Sequence, residues 1–338
     1  MVTLAQVAKR AGVAQSTVSQ VLRGNAQAAR ISLATQRRVH DAARKLHYRP
    51  NAYAQAVREG RFGCVGLILS DVSWRSTLPA EQLAGLIDAL ASRNTHLSVA
   101  RLRNDLLESE DFMPKILATM MTDGLLIDIT QDAPPRMTTL IEQHRIPHVW
   151  LNSMRKADCV HPDDRGGAAL LVRELIGRGH RRIAYANFAH GTDHGSDHYS
   201  VADRYEGAAA AMRDAGLTLI DWRHQAASST WVGFAAQRLA ADRPTAVISY
   251  GPSEPAALLI AAAGAGLVVP RDLSLVTFHH TAVHCGGVAL AHARDNRYDL
   301  GRLAVDMLLA RIAGAPAHAT VTTPYTLDPG ATLAVAPT

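Results

Sequence analysis

Residues 2–22 read VTLAQVAKRAGVAQSTVSQVL, and their spacing predicts two short helices joined by a tight turn. Thr3 can cap the first helix, with Gln6 at the reciprocal capping-box position. Val7, Ala8 and Ala11 share one helical face. Gly12 ends that helix and can take the left-handed conformation that a close interhelical turn requires. A second helix is expected over Gln15–Arg23, with Val18, Val21 and Leu22 inward and Gln15, Ser16 and Gln20 outward. Polar side chains on the outer face of a second helix, with few acids nearby, are what a reader of the DNA major groove needs. An ordinary helical hairpin with a solvated face would look alike over this stretch, so the flanking segments decide.

Charge is the first discriminator. The chain carries 35 basic and 30 acidic residues, a net charge of +5. Through Arg61 there are eleven Lys and Arg residues against Asp41 and Glu59 alone, so the first 61 residues hold +9 and the remainder −4. A basic head on a slightly acidic body fits a polyanionic partner for the head. At 338 residues, 48% of them hydrophobic, the chain can hold two or three folded units. No apolar run approaches the roughly 18 residues of a membrane span, and the start lacks a charged-then-apolar leader, so a cytoplasmic protein is expected. Cys64, Cys159 and Cys285 are odd in number and lack metal-ligand spacing, as suits reduced thiols.

Downstream of Leu22, Ser32 can cap a third helix running to about Leu46, with Val39, Ala42, Ala43 and Leu46 buried. Tyr48-Arg49-Pro50-Asn51 ends it, and NAYAQAVR (51–58) is a helix too short to be stable alone. From CVGLIL (64–69), a run suited to a strand buried on both faces, strand and helix patterns alternate. Strands are expected over 96–101, 124–129, 148–151, 182–186, 245–250 and 274–278, with helices over 80–93, 163–178, 203–215, 231–241, 255–265 and 298–312. This pattern describes an open α/β body, and two such lobes bind small ligands at the carboxyl ends of their strands.

The order of helix-turn-helix, YRPN segment and two α/β lobes resembles the LacI/GalR family of bacterial transcription regulators over essentially the whole chain. The matching stretches are TLAQVAKRAGVAQSTVSQVL, HYRPNAYAQAVR, DGLLIDI, IPHVWLN, DDRGGAALLVRELIGRGHRRIAY, RYEGAAAAMRDAGL, PTAVISY and VPRDLSLVTF. The resemblance implies an all-α helix-turn-helix head at 1–50 (motif 4–23) and a hinge helix at 51–61. It implies a periplasmic-binding-protein-like body at 62–338, with parallel sheets in two lobes. The first lobe would cover about 62–157 and 290–317, and the second about 158–289 and 318–338. It also implies a homodimer on double-stranded operator DNA, controlled by a small-molecule effector in the interlobe cleft, with no membrane partner. Gln15, Ser16 and Gln20 become base readers, and Thr3, Thr17, Ser19, Ser32 and Asn51 candidates for phosphate contacts. Ala54, Val57 and Arg58 fall on the minor-groove hinge, where Val57 replaces the family's usual Leu wedge. Ala14 replaces a usual Ser, and the turn at 25–30 is longer than the family's.

In the body, Arg204 of the RYEG motif matches the family's inducer-contacting arginine, and Asn152 a polar position of the cleft. Asp128, Trp74, Tyr250 and His279 complete the expected effector set. Gly251-Pro252 stands where relatives commonly carry Asn-Asp, and His279-His280 where they carry Asp-Asp. The loss of sugar-binding acceptors favours an effector other than a simple neutral sugar, or a cleft that has lost regulated binding. His190, His194 and His198 beside Asp193 and Asp197, and His279, His280, His284 and Cys285, leave open a metal-sensing alternative, although Gly191 and Gly195 argue for a loop. Leu83, Ile87 and Leu90 form a stripe that suits either a dimer face or the core. No phosphate-binding loop, zinc-protease motif or nucleophile elbow is present, so neither enzymatic activity nor a cofactor or metal is expected.

Overall fold

The computed structural model describes the chain except residues 1, 25–26, 28–29, 50–59, 73–74, 104–115, 117–120, 189–197 and 225–226. The chain divides into two compact units, Met1–Phe62 and Gly63–Thr338.

The first unit holds α1 (Leu4–Ala11), α2 (Gln15–Leu22) and α3 (Leu33–Lys45). The capping box at Thr3 forms: Gln6 N–H donates to Thr3 Oγ1, and Thr3 N–H donates to Gln6 Oε1 at 2.8 Å. Gly12 stands at φ +64° and closes α1. Val7, Ala8, Ala11, Val18, Val21, Val39, Ala42 and Ala43 make the core, with Leu22 and Leu46 half-buried at its edge. These side chains are small, so the helices pack closely on a core of limited area.

The second unit is built on two six-stranded sheets. The first comprises β1 (Cys64–Ser70), β2 (His96–Leu102), β3 (Gly124–Asp128), β4 (His148–Leu151), β5 (Cys159–Pro162) and β13 (Val321–Thr323), ordered β13-β5-β4-β3-β1-β2 and parallel throughout. Alternate strand residues serve opposite faces. Val65, Leu67, Leu126 and Val149 meet α4 (Ala80–Ala91) and α10 (Arg297–Ile312), while Ile68, Leu125, Ile127 and Trp150 meet α5 (Pro135–Gln143). Burial of both faces explains the continuous apolar runs.

The second sheet, ordered β14-β12-β9-β8-β6-β7, comprises β6 (Ile183–Asn187), β7 (Ile220–Arg223), β8 (Ala246–Ser249), β9 (Ser274–His279), β12 (Ala291–Asp295) and β14 (Tyr325–Asp328). β14 runs antiparallel to β12 and makes this sheet mixed. α6 (Asp164–Gly177) and α7 (Tyr199–Asp214) pack on Ile183 and Tyr185, and α8 (Trp231–Asp242) and α9 (Pro255–Gly264) on Ala184 and Ala186. A small hairpin, β10 (His284–Cys285) and β11 (Val288–Ala289), stands apart.

The chain passes between the sheets after Pro162, after Asp295 and at Pro324. The expected lobe limits at 157/158, 289/290 and 317/318 therefore move: β5 and β13 belong to the first sheet and β12 to the second. These strands have three to five residues, too few for a period to show, and AHARD (291–295) keeps its charge because Asp295 is paired. The proposed Leu83–Ile87–Leu90 stripe also divides. Leu90 is core, Leu83 lies half-buried against the same cluster, and Ile87 is 46% exposed. α4 and α10 cross at near backbone contact: a Cβ on Gly85 would lie 2.1 Å from the Tyr298 carbonyl oxygen, and one on Gly301 2.4 Å from that of Gln82.

Candidate functional site

On the head, α2 exposes Gln15, Ser16 and Gln20, with Thr17 and Ser19 half-buried. A shallow cavity of about 280 Å³ is lined by Leu4, Gln15, Ser16, Ser19, Gln20 and Arg23. Ala14 precedes α2 without a side-chain cap, so the first-turn amides receive no acceptor from it. Lys9, Arg10, Arg37 and Arg38 are exposed on the same small unit. Two expected phosphate contacts act as helix caps here. Thr3 Oγ1 donates to Gln6 Oε1 at 3.2 Å, and Ser32 Oγ accepts the Thr35 amide at 3.3 Å. The hinge candidates Asn51, Ala54, Val57 and Arg58 lie outside the described residues.

In the body, a cavity of about 240 Å³ lies where the carboxyl ends of the strands meet. Thr77, Thr130, Gln131 and Asn152 come from the first lobe, and Asp164, His198, Ser200, Arg204 and Tyr250 from the second. Arg297 opens α10 just beyond the second crossing.

Arg204 is the most tightly held of these groups. Its Nε donates to Asp164 Oδ1 at 2.7 Å, Nη1 to the Tyr250 carbonyl at 2.7 Å, and Nη2 to the Tyr325 hydroxyl at 3.2 Å. The Tyr325 hydroxyl in turn donates to Asp164 Oδ1 at 2.8 Å. The guanidinium carbon also lies 4.4 Å from the Phe278 ring centre. Burial opposes the charge on Asp164, but the Arg204 ion pair and the hydrogen bonds from Arg204 and Tyr325 outweigh it and hold the carboxyl below its usual range.

His198 joins the lobes. A carbonyl can only accept, so the 2.9 Å contact with the Asn152 oxygen places the proton on Nε2. Nδ1 then accepts from Ser200 Oγ at 2.8 Å, and Ser200 Oγ accepts from the Tyr250 hydroxyl at 2.9 Å. Burial pushes the imidazole down to about 4, so it is neutral near pH 7. Asn152 stands at φ +49°, a conformation Asn tolerates better than most residues, and accepts from the Tyr199 hydroxyl at 3.4 Å.

Of the expected effector residues, Arg204, Asn152 and Tyr250 line this cavity. His279 does not. Its Nδ1 accepts the Thr281 amide at 3.2 Å and its ring stacks on His280 at 4.4 Å. Asp128 is fully buried at the end of β3, off the cavity wall, where burial pushes its carboxyl up to about 7 against a weaker pull from Arg297. Trp74, His190, Asp193, His194 and Asp197 lie outside the described residues. Sequence reasoning missed Thr77, Thr130, Gln131, Asp164, Ser200 and Arg297. Thr130 and Gln131 were findable, since they directly follow a predicted strand. Among the described residues no group of three or more His, Cys, Asp or Glu side chains could hold a metal ion, and no helix is long and apolar enough to cross a membrane.

Comparison with known proteins adds the wider context. The model for bacterial regulatory proteins of the lacI family matches residues 3–51, and that for a periplasmic binding protein-like domain matches 172–333. The chain is 31% identical over 258 residues to the maltose regulon regulatory protein MalI of Escherichia coli (strain K12), covering 75% of this chain and 69% of that protein. It is 29% identical over 324 residues to the HTH-type transcriptional repressor PurR of Pectobacterium atrosepticum, covering 92% and 91%. The structure of the lac repressor dimer bound to operator and the anti-inducer ONPF superposes with a TM-score of 0.76 at 21% identity, over 98% of both chains.

Proposed function

The chain belongs to the lacI family of bacterial regulatory proteins, and from this membership we propose that it represses a catabolic operon as a cytoplasmic homodimer. It is a DNA-binding transcription regulator under ligand control. The observation that carries the DNA side is the exposed Gln15–Ser16–Gln20 face of α2 on a basic head. Gln15 and Gln20 can each bond an adenine edge at two atoms, and Ser16 tolerates several bases. Thr17, Ser19 and neighbouring cations hold phosphates and set the register. Two copies would read the half-sites of a near-palindrome. Ile87, left exposed on α4, supports a face for the second copy.

The effector occupies the cavity at Asn152, Ser200, Arg204 and Tyr250. Groups from both lobes line it, so a ligand there binds one lobe orientation better than another. The resulting coupling is reciprocal: operator must change effector affinity by the factor by which effector changes operator affinity.

The test is selection of binding sites from fragmented genomic DNA of the host by the purified full chain. Enriched near-palindromes, bound with affinity that falls steeply with salt, are expected. The genes beside them name the effector's metabolic class. No enriched site, with or without cell extract to supply a corepressor, would refute the reading.

A further inference from the structure

The cavity contains two arginines in different states. Arg204 commits Nε, Nη1 and Nη2 to Asp164, Tyr250 and Tyr325. Arg297 has a side chain only 10% exposed and pairs through Nε with Asp295 at 2.5 Å. Its Nη1 is buried and, like Nε apart from that ion pair, has no hydrogen-bond partner among the described residues. A buried guanidinium nitrogen without an acceptor is costly, and structures keep such groups where something else supplies the acceptor. Arg297 also lines both the cleft cavity and a neighbouring one of about 330 Å³. Gln131, on the same cleft wall, has a buried Oε1 without a partner among the described residues. Among the described residues the cleft wall therefore carries an unmet cationic donor group, Arg297, and an unmet neutral acceptor, Gln131.

We propose, building on the reading of this cavity as the effector site, that Arg297 is its specificity-determining residue and that the effector is a compact hydroxylated anion. A carboxylate or phosphate oxygen accepts from Arg297 Nη1, and a hydroxyl donates to Gln131 Oε1. The charge-assisted bond to a planar guanidinium is the stronger of the two and selects anions over neutral sugars of the same shape. Arg204 instead organises Asp164, Tyr250 and Tyr325 into a rigid floor. The volume, about 240 Å³, restricts the ligand to roughly monosaccharide size.

The experiment titrates the full chain calorimetrically with glucose, gluconate, glucose 6-phosphate and inorganic phosphate at up to millimolar concentration. Gluconate and glucose 6-phosphate separate a carboxylate from a phosphate source, and inorganic phosphate tests the anion without hydroxyls. Binding of at least one hydroxylated anion, tighter than glucose, is expected. Arg297→Gln should weaken it by about tenfold to a hundredfold. Because that change leaves Asp295 buried without its partner, the double variant Arg297→Gln/Asp295→Asn removes both charges and should show the same loss with the fold retained. Binding of glucose as tight as that of the anions, no anion binding to the wild type, or undiminished anion binding in the double variant would overturn the proposal. Operator selection by the same preparation separates the two readings: intact operator binding with no anion response sinks the anion class alone, and lost operator binding sinks the regulator.

Discussion

His198 of the second lobe donates its Nε2–H to the main-chain carbonyl of Asn152 in the first, over 2.9 Å. Burial keeps the imidazole neutral, so its Nδ1 can accept from Ser200 Oγ, which in turn accepts from the Tyr250 hydroxyl. The bond ties two residues of the cavity lining, one from each lobe, to each other. Replacing His198 by Ala should shift the lobe equilibrium by about two- to tenfold, the worth of one neutral hydrogen bond. Faster amide exchange at 150–153 and 199–204 would register the change; unchanged exchange would refute it.

The same histidine sets an acid limit. Its folded pKa lies below its unfolded value, so its contribution is intact above pH 6.5 and is lost as pH falls towards about 4. Asp128 acts in the opposite sense. Its carboxyl is raised to about 7, so its contribution is intact below about pH 4 and is lost as pH rises to 7. Asp128→Asn should stabilise the body at pH 8 by on the order of 2–4 kcal/mol, with the gain vanishing near pH 4. Urea unfolding at the two pH values reads it directly.

Arg204 and Asp164 form a buried pair, with side chains 13% and 1% exposed. Arg204→Ala strands the carboxylate and should cost about 3–5 kcal/mol. Arg204→Met with Asp164→Leu should recover much of that stability while abolishing effector response. Denaturant midpoints separate the two effects.

The crossing of α4 and α10 leaves no room for a side chain at Gly85 or Gly301, where backbone oxygens would lie 2.1 and 2.4 Å from an added Cβ. Either residue changed to Ala should cost about 1–3 kcal/mol or more by overpacking. A midpoint within error of wild type would contradict the close approach.

On the head, Gln20→Ala should cost about 1–3 kcal/mol on the selected operator and relax preference at one base pair. Thr17→Ala or Ser19→Ala should weaken binding about equally on all duplexes. Anisotropy with matched and mismatched duplexes distinguishes the two patterns.

The head was legible because capping, periodicity and charge agree over residues 2–46, and its helices stand close to where the spacing put them. Among the body's strands of five or more residues, β1, β3, β6 and β9 were legible as apolar runs; β2 was placed although it is a largely exposed edge strand with His96 and Arg101, and β12 with its two charges was missed. β5, β7, β13 and β14 were not, because three or four residues such as IDWR or YTLD carry no period. Site residues followed the same division. Arg204 shows in its motif. Arg297 hides in DNRYD, which reads as a capped helix start and does cap one through Asn296. Only the return of the chain from β12 to the first lobe brings its guanidinium into the cavity. Asp164 is hidden likewise: its neighbour Asp163 caps α6 while Asp164 turns inward to Arg204.

The central claim is that one chain couples sequence-specific DNA binding to the cleft that His198 and Asn152 bridge. Hydrogen–deuterium exchange on the full chain, free, with the selected operator and with a scrambled duplex of equal length, tests it most directly. Operator should change exchange both in α2 and in the peptides containing Asn152 and His198, and the scrambled duplex in neither to the same degree. A change confined to the head, with the cleft peptides identical in all three samples, would contradict the coupling.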